Sequence, residues 1–195
     1  LDELYASHII ATELPKAMAL CPGNSMAIRL LDLLATPRHG NPCITQRGAS
    51  GIDGLIATAA GHASHHPPGV TLVIGDLAAL HDLNSLALAS TTEHQLIIVV
   101  LNNNGGGIFD MLPARGQGEC HQQLFRMPHD LSFEHAAAQF RLPYYCCTDS
   151  ATLRSTYREA CQCQGATLIE VICPAQQGSD RLGELLRSLE AAPEC

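Results

Sequence analysis

Tryptophan is absent from this 195-residue sequence, and aromatic residues as a whole make up only 4% of it. An aromatic surface for stacking on single-stranded nucleic acid is therefore not expected. Positive charge is also scarce, because 11 Lys and Arg residues stand against 19 Asp and Glu residues and give a formal net charge of −8. A nonspecific nucleic-acid binder needs the opposite balance, so we predict no nucleic-acid partner.

Long apolar runs are missing as well. The longest candidate, Leu96–Leu101, has the length of a strand and falls far short of the roughly 18 residues of a membrane span. The chain opens at Leu1, and no basic start followed by an apolar stretch marks a signal peptide. The nine cysteines are odd in number and form no C-x-x-C pair, which favours reduced thiols over a disulfide framework or zinc site. We therefore expect a cytoplasmic protein without a membrane span.

Apolar residues, by contrast, are plentiful at 46%, with charged residues at 15%, so a sizeable core is expected. Strand-like and helix-like segments alternate along the whole chain. The candidate strands are Ala17–Cys21, Cys43–Gln46, Val70–Gly75, Leu96–Asn102, Tyr144–Thr148 and Thr167–Cys173. The candidate helices are Asp2–Leu14, Ser25–Leu34, Gly51–Ser64, Leu80–Ser90, Ser132–Phe140, Ala151–Gln162 and Ser179–Ala191. This pattern predicts a doubly wound α/β domain with a mainly parallel, six-stranded sheet and helices on both faces.

One segment, Pro113–Asp130, does not fit the alternation. It is long, mixed in composition and rich in turn-forming residues. Loops of this length inside a compact domain are usually functional lids or disordered segments. We therefore interpret it as a lid-like loop.

Polar clusters follow two of the predicted strands. Gly75-Asp76 ends the strand Val70–Gly75, and Asn102-Asn103-Asn104 followed by three glycines ends the strand that begins at Leu96. The carboxyl ends of neighbouring parallel strands are where open α/β sheets bind ligands. Carboxylate and amide oxygens, together with phosphate oxygens and water, suit Mg²⁺. Gly-Asp or Asn-Gly alone is most often a turn, but the two together across strand, helix and strand predict a Mg²⁺-bridged diphosphate site.

This pairing resembles the diphosphate-binding signature of thiamine-diphosphate-dependent enzymes, G-D-G followed by N-N. Leu77 stands where the general pattern has its second glycine. That departure, with the segments G-D-L-A-A-L-H-D-L-N, N-N-N-G-G-G-I-F, R-G-A-S-G-I-D-G, G-N-S-M-A-I-R-L-L-D and F-E-H-A-A-A-Q-F, resembles the 2-succinyl-5-enolpyruvyl-6-hydroxy-3-cyclohexene-1-carboxylate synthase family of menaquinone biosynthesis. The resemblance extends over essentially the whole chain.

The resemblance implies that residues 1–195 are a C-terminal, thiamine-diphosphate-binding domain, and that the family's N-terminal pyrimidine-binding domain and central domain are lacking here. The family's activating glutamate belongs to the pyrimidine domain. We therefore assign no catalytic residue in this chain and expect the isolated chain to be inactive. The implied partner is the pyrimidine-binding domain, contributed by another subunit, and a homodimer is possible.

The implied transferase decarboxylates 2-oxoglutarate and adds the succinyl carbanion to isochorismate, small-molecule substrates that it processes with thiamine diphosphate and Mg²⁺ (or Mn²⁺). Two alternatives are kept. One is another thiamine-diphosphate carboligase or decarboxylase resembling acetolactate synthase. The other is a non-catalytic module that keeps this fold.

By the family pattern, the metal ligands are Asp76, the Asn103 side chain and the Gly105 carbonyl. From the residues alone, Asn102 and Asn104 remain alternatives to Asn103. The implied cofactor contacts, among them Ile52 as an apolar wedge and backbone N–H groups for the diphosphate, are Ser50, Gly51, Ile52, Gly75, Asp76, Leu77, Ala78, Asn103, Gly105 and Ile108. Core packing is the alternative for both isoleucines.

The resemblance also assigns substrate carboxylates to Arg29 and Arg47, with Ser25 assisting. A guanidinium can grip a carboxylate through two parallel hydrogen bonds. The alternative for each arginine is a structural or surface ion pair.

Overall fold

A parallel sheet organises the computed structural model, which describes residues 1–34 and 40–190. Its strands run in the spatial order β1-β2-β3-β5-β4, and each neighbouring pair is parallel. The strand bounds are β1 Ala19–Pro22, β2 Val70–Gly75, β3 Leu96–Asn102, β4 Tyr144–Cys147 and β5 Ala166–Ile172.

Helices connect the strands along most of the chain. Their bounds are α1 Glu3–Glu13, α2 Met26–Leu34, α3 Leu55–Ala63, α4 Asp76–His81, α5 Leu86–Ala89, α6 Glu119–His121, α7 Glu134–Gln139, α8 Ser150–Ala160 and α9 Gln177–Glu190. Short 3-10 turns lie at Leu83–Ser85, Gly107–Met111 and Pro113–Gln117, and a π turn lies at Gln122–Arg126. Among the described residues, no helix has both the length and the apolar character needed to cross a bilayer.

The sheet is buried on both faces, as its continuous apolar strands predict. All seven residues of β3 are buried, and its six apolar residues alternate between two core clusters. Ile98 and Val100 pack with α3, α4, α5 and α7, whereas Ile97 and Val99 pack with α1, α2 and α8. Helices therefore cover both faces, which confirms the predicted doubly wound α/β class.

The predicted count of six strands is wrong for the described residues, which form a sheet of five. The missing member is Cys43–Gln46. It touches β1 through a single parallel bridge between Leu20 and Cys43, with the Ile44 N–H donating to the Leu20 carbonyl at 2.9 Å. Beyond this bridge the Gln46 side chain turns toward α3 and donates to the Gly54 carbonyl at 3.1 Å. The pairing ends because the chain leaves the sheet edge there.

Several predicted helix bounds also differ from the structure. The helix predicted over Gly51–Ser64 begins only at Leu55, because Gly54 takes a left-handed conformation with φ of +66°. The helix predicted over Leu80–Ser90 is divided into α4, a 3-10 turn and α5, and α4 begins directly at Asp76. The last predicted helix appears as α9, and its expected end, Ala191, lies outside the described residues.

The segment Pro113–Asp130 is not the irregular loop that its composition predicts. It winds through short 3-10, α and π turns as far as Arg126, which is buried. Met127 and Asp130 then have positive φ angles, of 49° and 53°. The segment is therefore a chain of single helical turns, most of whose side chains are exposed.

The register of the sheet brings the two polar strand ends together. Gly75 of β2 is level with Leu101 of β3, and Leu101 is level with Val171 of β5. The residues that follow, Asp76 and Asn102, therefore emerge side by side at the carboxyl edge. That edge is the predicted ligand-binding position in this class of sheet.

The first turn of α3 is capped by a residue from another part of the chain. This cap fixes the position at which the preceding Arg47–Gly54 loop ends. Gly54 at the N-cap has no side chain to offer, and Asp82 replaces it. Its Oδ2 accepts hydrogen bonds from the backbone N–H groups of Ile56 (2.6 Å) and Ala57 (3.2 Å). These N–H groups would otherwise lack an intrahelical partner.

We predict that Asp82→Ala lowers the free energy of unfolding by about 1–2 kcal/mol, because it removes the carboxylate that accepts two hydrogen bonds from the first turn of α3. The matched control is Asp53→Ala. Its ion pair with His81 is exposed, and we expect a change within about 0.5 kcal/mol. Chemical denaturation of both variants measures this difference, and equal losses would contradict the capping role.

Candidate functional site

A cavity of about 440 Å³ opens at the carboxyl edge of the sheet, where the segments after β1, β2 and β3 meet the Arg47–Ile52 loop. Of the residues predicted for the site, Gly51 alone does not line it. Its carbonyl instead accepts a hydrogen bond from Asn24 Nδ2 at 2.7 Å. The predicted residues that do line the cavity are Ser25, Arg29, Arg47, Ser50, Ile52, Gly75, Asp76, Leu77, Ala78, Asn103, Gly105 and Ile108.

Asp76 joins the two strand-end turns. Its carboxylate is 2% exposed. Oδ1 accepts a hydrogen bond from the Leu77 N–H at 2.6 Å, and Oδ2 accepts one from the Gly105 N–H at 2.8 Å. The Leu77 N–H is thus engaged by Asp76, which leaves Ala78 as the predicted diphosphate donor whose first-turn N–H is not taken up in this way.

Burial raises the pKa of Asp76, and the hydrogen bonds from Gly105 and Leu77 oppose that shift. The His129 ring adds to the opposition, because its Nε2 lies 3.2 Å from Asp76 Oδ2. That contact does not have hydrogen-bond geometry, and Nε2 is buried without a partner. Burial therefore disfavours the charged form of Asp76, and a bound cation next to the carboxylate would stabilise that form.

Gly105 is the residue whose backbone makes this turn possible. Its φ of +127° is one that side-chain-bearing residues rarely adopt, and a Cβ there would collide with the carbonyl oxygen of Arg126. The neighbouring Gly106 N–H donates to that same carbonyl at 2.7 Å. The Gly105 carbonyl accepts from the Gly107 N–H at 2.9 Å, and a carbonyl has a second lone pair to offer.

The three consecutive asparagines take three different positions. Asn102 donates to Glu170 Oε1 at 2.6 Å and to the Leu131 carbonyl at 3.0 Å. Asn104 accepts from the backbone N–H groups of residues 129 and 130, and it donates to Asp130. Asn103 alone lines the cavity, and its Oδ1 is buried with no hydrogen-bond partner. Of the three amides, Asn103 is therefore the one with a free oxygen to offer at the site.

A second buried carboxylate lines the cavity beside Asn103. Glu3, in the first turn of α1, is 4% exposed, and its Oε1 accepts from Asn103 Nδ2 at 2.7 Å. Burial, with the nearby Asp76 charge adding to it, raises the pKa of Glu3 to about 7. Arg126 opposes this shift. Two buried carboxylates that line one cavity favour the arrival of positive charge.

The buried guanidinium of Arg126 makes two hydrogen bonds. It pairs with Asp110 at 2.9 Å and donates to the Asn103 carbonyl at 2.6 Å. His121 lies 3.7 Å from the same aspartate. Arg126 thus anchors the Pro113–Asp130 segment to the glycine turn, and its hydrogen bonds go to Asp110 and the Asn103 carbonyl rather than to Asp76 or Glu3.

The donor set fits one hard divalent cation that shares its coordination with a ligand. Asp76, the free Asn103 Oδ1 and the Gly105 carbonyl supply oxygens of the kind that Mg²⁺ prefers. In the part of the chain that the structure describes, no group of three or more His, Cys, Asp or Glu residues could hold a metal by itself. Mg²⁺ is ordinarily completed by phosphate oxygens and water, so a site with so few protein ligands needs a phosphate partner.

Arg29 and Arg47 line the more open side of the cavity. Both are exposed. Arg29 donates to the Ser25 carbonyl at 2.7 Å, and Arg47 donates to Asn24 Oδ1 at 3.2 Å. Among the ion pairs of the described residues, neither arginine has a carboxylate partner. Their charges are free to meet an anionic ligand.

Two isoleucines form part of the apolar wall. Ile52 lines the cavity and also packs against the core cluster of α3. Ile108 does the same against Met26, Leu30 and Leu182. Both isoleucines therefore line the cavity and pack against the core, and the cofactor contact implied for each stays a prediction.

Sequence reasoning missed four residues around the cavity: Glu3, Asn24, Arg126 and His129. Asn24 lies inside the quoted G-N-S segment, and its place just after the predicted strand Ala17–Cys21 is the sequence signal that could have pointed to it. The other three carry no local signal, because they reach the site from distant segments. Only the folded structure reveals that they meet there.

Residues 29–171 match the family described as thiamine pyrophosphate enzyme, C-terminal TPP binding domain. The chain is 60% identical over 190 residues to the 2-succinyl-5-enolpyruvyl-6-hydroxy-3-cyclohexene-1-carboxylate synthase of Halorhodospira halophila, covering 97% of this chain and 34% of the relative. It is 45% identical to the synthase of the same name from a Shewanella species (strain W3-18-1), covering 94% and 32%. The chain thus spans about a third of the length of the curated relatives it matches.

We predict that Gly105→Ala lowers the free energy of unfolding by at least about 2 kcal/mol, because the backbone angle and the Arg126 carbonyl both oppose a side chain. The control is Gly116→Ala. A Cβ at that position meets nothing within 4 Å, and we expect a change within about 0.5 kcal/mol. Thermal denaturation of the two variants decides the point, and a Gly105→Ala variant as stable as the control would show that the turn is not constrained as described.

Proposed function

Because the chain belongs to the thiamine pyrophosphate enzymes through their C-terminal TPP-binding domain, we propose that its carboxyl-edge cavity holds the diphosphate of thiamine diphosphate through a Mg²⁺ ion. The Asp76 carboxylate, the Asn103 Oδ1 and the Gly105 carbonyl are the protein ligands in this proposal. The observation that carries it is the buried Asn103 Oδ1, an acceptor without a donor in the cavity that Asp76 also lines, and burial raises the pKa of that aspartate. A divalent cation satisfies both groups at once.

The remaining cofactor contacts follow from the cavity lining. Gly75 lets the diphosphate approach the end of β2 closely, and the Ala78 N–H in the first turn of α4 offers a donor. Ser50 and Ile52 come from the Arg47–Gly54 loop, and Ile108 from the turn after the glycines. The apolar side chains of Ile52 and Ile108 exclude water from the part of the cavity where a cofactor ring is accommodated.

When bound, thiamine diphosphate supplies a thiazolium carbon that attacks a keto carbon and accepts the electrons that decarboxylation releases. This chain's residues anchor and orient the cofactor. No described residue is assigned the proton transfer that activates it, because the family pattern places that glutamate in another domain. The isolated chain is therefore expected to show no turnover.

For the whole protein we propose the synthase reaction of the relatives it resembles, in which 2-oxoglutarate is decarboxylated and its succinyl unit is transferred to isochorismate. Both substrates carry carboxylates. Arg29 and Arg47 line the cavity with no carboxylate partner among the described residues, which suits them to bind these groups. Ser25 also lines the cavity, and its carbonyl accepts a hydrogen bond from Arg29.

We further propose that a pyrimidine-binding domain, contributed by another subunit, covers the site. Supporting this, exposed large apolar side chains cluster in the stretch next to the cavity; they are Met111, Leu112, Leu124, Met127 and Leu131. Met127 also lines the cavity itself. A homodimer and a cytoplasmic location stay predictions.

The experiment that tests the function is a chimera in which this chain replaces the matching third of the Halorhodospira halophila relative. We expect the chimera to bind thiamine diphosphate only with Mg²⁺ and to form product from 2-oxoglutarate and isochorismate. We expect Asp76→Ala to abolish both properties and Asp53→Ala, an exposed residue before the start of α3 that does not line the cavity, to keep them. A folded chimera that prefers pyruvate as donor would favour an acetolactate-synthase-like enzyme, and one that binds no cofactor would favour a non-catalytic module.

We predict that Arg29→Met and Arg47→Met in the same chimera each lower kcat/KM for the carboxylate substrates by about 10- to 100-fold, as expected for loss of a charge-assisted hydrogen bond. Thiamine diphosphate affinity should stay unchanged. Arg187→Met, on the exposed side of α9, is the control and should leave both properties unchanged. Steady-state kinetics with each substrate varied in turn measures the effect, and unchanged kcat/KM in both cavity variants would overturn the assignment.

A further inference from the structure

The side-chain amide of Asn103 has two chemically different ends, and only one of them can bind a metal ion. The oxygen is an acceptor and a metal ligand, whereas the NH₂ group is a donor only. The two ends have nearly the same shape, so packing alone does not choose between them. Some hydrogen-bonding partner has to decide which end is presented to the cavity.

That partner is Glu3. Its Oε1 accepts from Asn103 Nδ2 at 2.7 Å, and no other group among the described residues accepts from that NH₂. A carboxyl oxygen that accepts a hydrogen bond pairs with the NH₂ end of an amide, so the contact made by Oε1 disfavours the reversed amide. Asn103 Oδ1 is then left buried and unpaired.

Glu3 is itself held firmly in place. It lies in the first turn of α1, is 4% exposed, and contacts Asn103 across 100 residues of sequence. On its other side it touches the first turn of α9, where a Cβ at Gly178 would collide with Glu3 Oε2. Gly107 lies directly against the amide, since a Cβ there would collide with Asn103 Nδ2. The carboxylate and the amide therefore have little freedom to separate.

We propose that Glu3 is a positioning residue that turns the Asn103 amide so that its oxygen serves as a Mg²⁺ ligand. This inference rests on the proposed metal site. Groups that orient a metal ligand through a hydrogen bond typically contribute 10- to 100-fold to metal affinity. Glu3 acts through Asn103 and touches neither the metal nor the substrate in this account.

Three variants separate an effect on the orientation of the Asn103 amide from effects on side-chain size and on the stability of the protein. Glu3→Met keeps the size of the side chain and removes the acceptor. Glu3→Gln keeps an acceptor but can also donate, so it permits both orientations of the amide. Glu13→Met, at the other end of α1, is the control, because it removes ion pairs with Arg154 and Arg158 far from the cavity.

The first readout is the Mg²⁺ concentration that gives half-maximal thiamine diphosphate binding in the chimeric enzyme. We expect this concentration to rise about 10- to 100-fold in Glu3→Met, to rise less in Glu3→Gln, and to stay unchanged in Glu13→Met. The proposal is overturned if Glu3→Met leaves the Mg²⁺ requirement unchanged, or if Glu3→Gln is as damaging as Glu3→Met, since charge rather than orientation would then matter.

The second readout needs no metal. The metal-free 195-residue chain is examined by NMR for a hydrogen-bonded side-chain N–H proton of Asn103. We expect the signature of this hydrogen bond in the unsubstituted chain and in Glu3→Gln. We expect it to be lost in Glu3→Met. An amide with the same signature in all three would overturn the proposal. If this signature is present but cofactor binding needs no Mg²⁺, the proposed metal site fails and the orienting contact stands.

Discussion

The hydrogen bond from the Gly105 N–H to the Asp76 carboxylate joins the two turns around which the whole cavity is built. It requires the positive φ of Gly105 and a Cβ-free approach to the Arg126 carbonyl. It also requires the parallel register that sets Gly75 level with Leu101, so that the two turns leave the sheet side by side. Every proposed ligand of the metal lies on one of these two turns. A change in that contact would therefore displace the proposed ligands together.

The charges around the cavity are arranged by depth. Asp76 and Glu3 are buried, and burial raises the pKa of each. The one buried guanidinium described beside them, Arg126, is already bound to Asp110 and to a backbone carbonyl. Arg29 and Arg47, by contrast, are exposed and have no carboxylate partner among the described residues. The interior therefore favours a cation and the opening favours anions, which is the polarity that a metal-bridged diphosphate and carboxylate substrates require.

Local motifs were predictable from the sequence, and long-range partners were not. The buried strands β2 and β3 and their polar ends could be identified because a continuous apolar run and the cluster that follows it are contiguous in sequence. The predicted sixth strand was wrong, since the apolar segment at Cys43 pairs with β1 through one bridge only. Glu3 and His129 reach the site from remote segments with no local pattern to mark them. The family pattern named Asn103, but from the residues alone the three asparagines were equivalent, because identical side chains are distinguished only by what they touch.

The most direct measurement is the melting temperature of the chain with thiamine diphosphate and Mg²⁺, each alone and both together, beside Asn103→Ala. A ligand at 100 times its dissociation constant adds about 2.7 kcal/mol to stability, which is a shift of several degrees for a domain of this size. The account predicts a shift that needs both components and is lost in Asn103→Ala. A shift of the same size without Mg²⁺, or one that survives in Asn103→Ala, would contradict it.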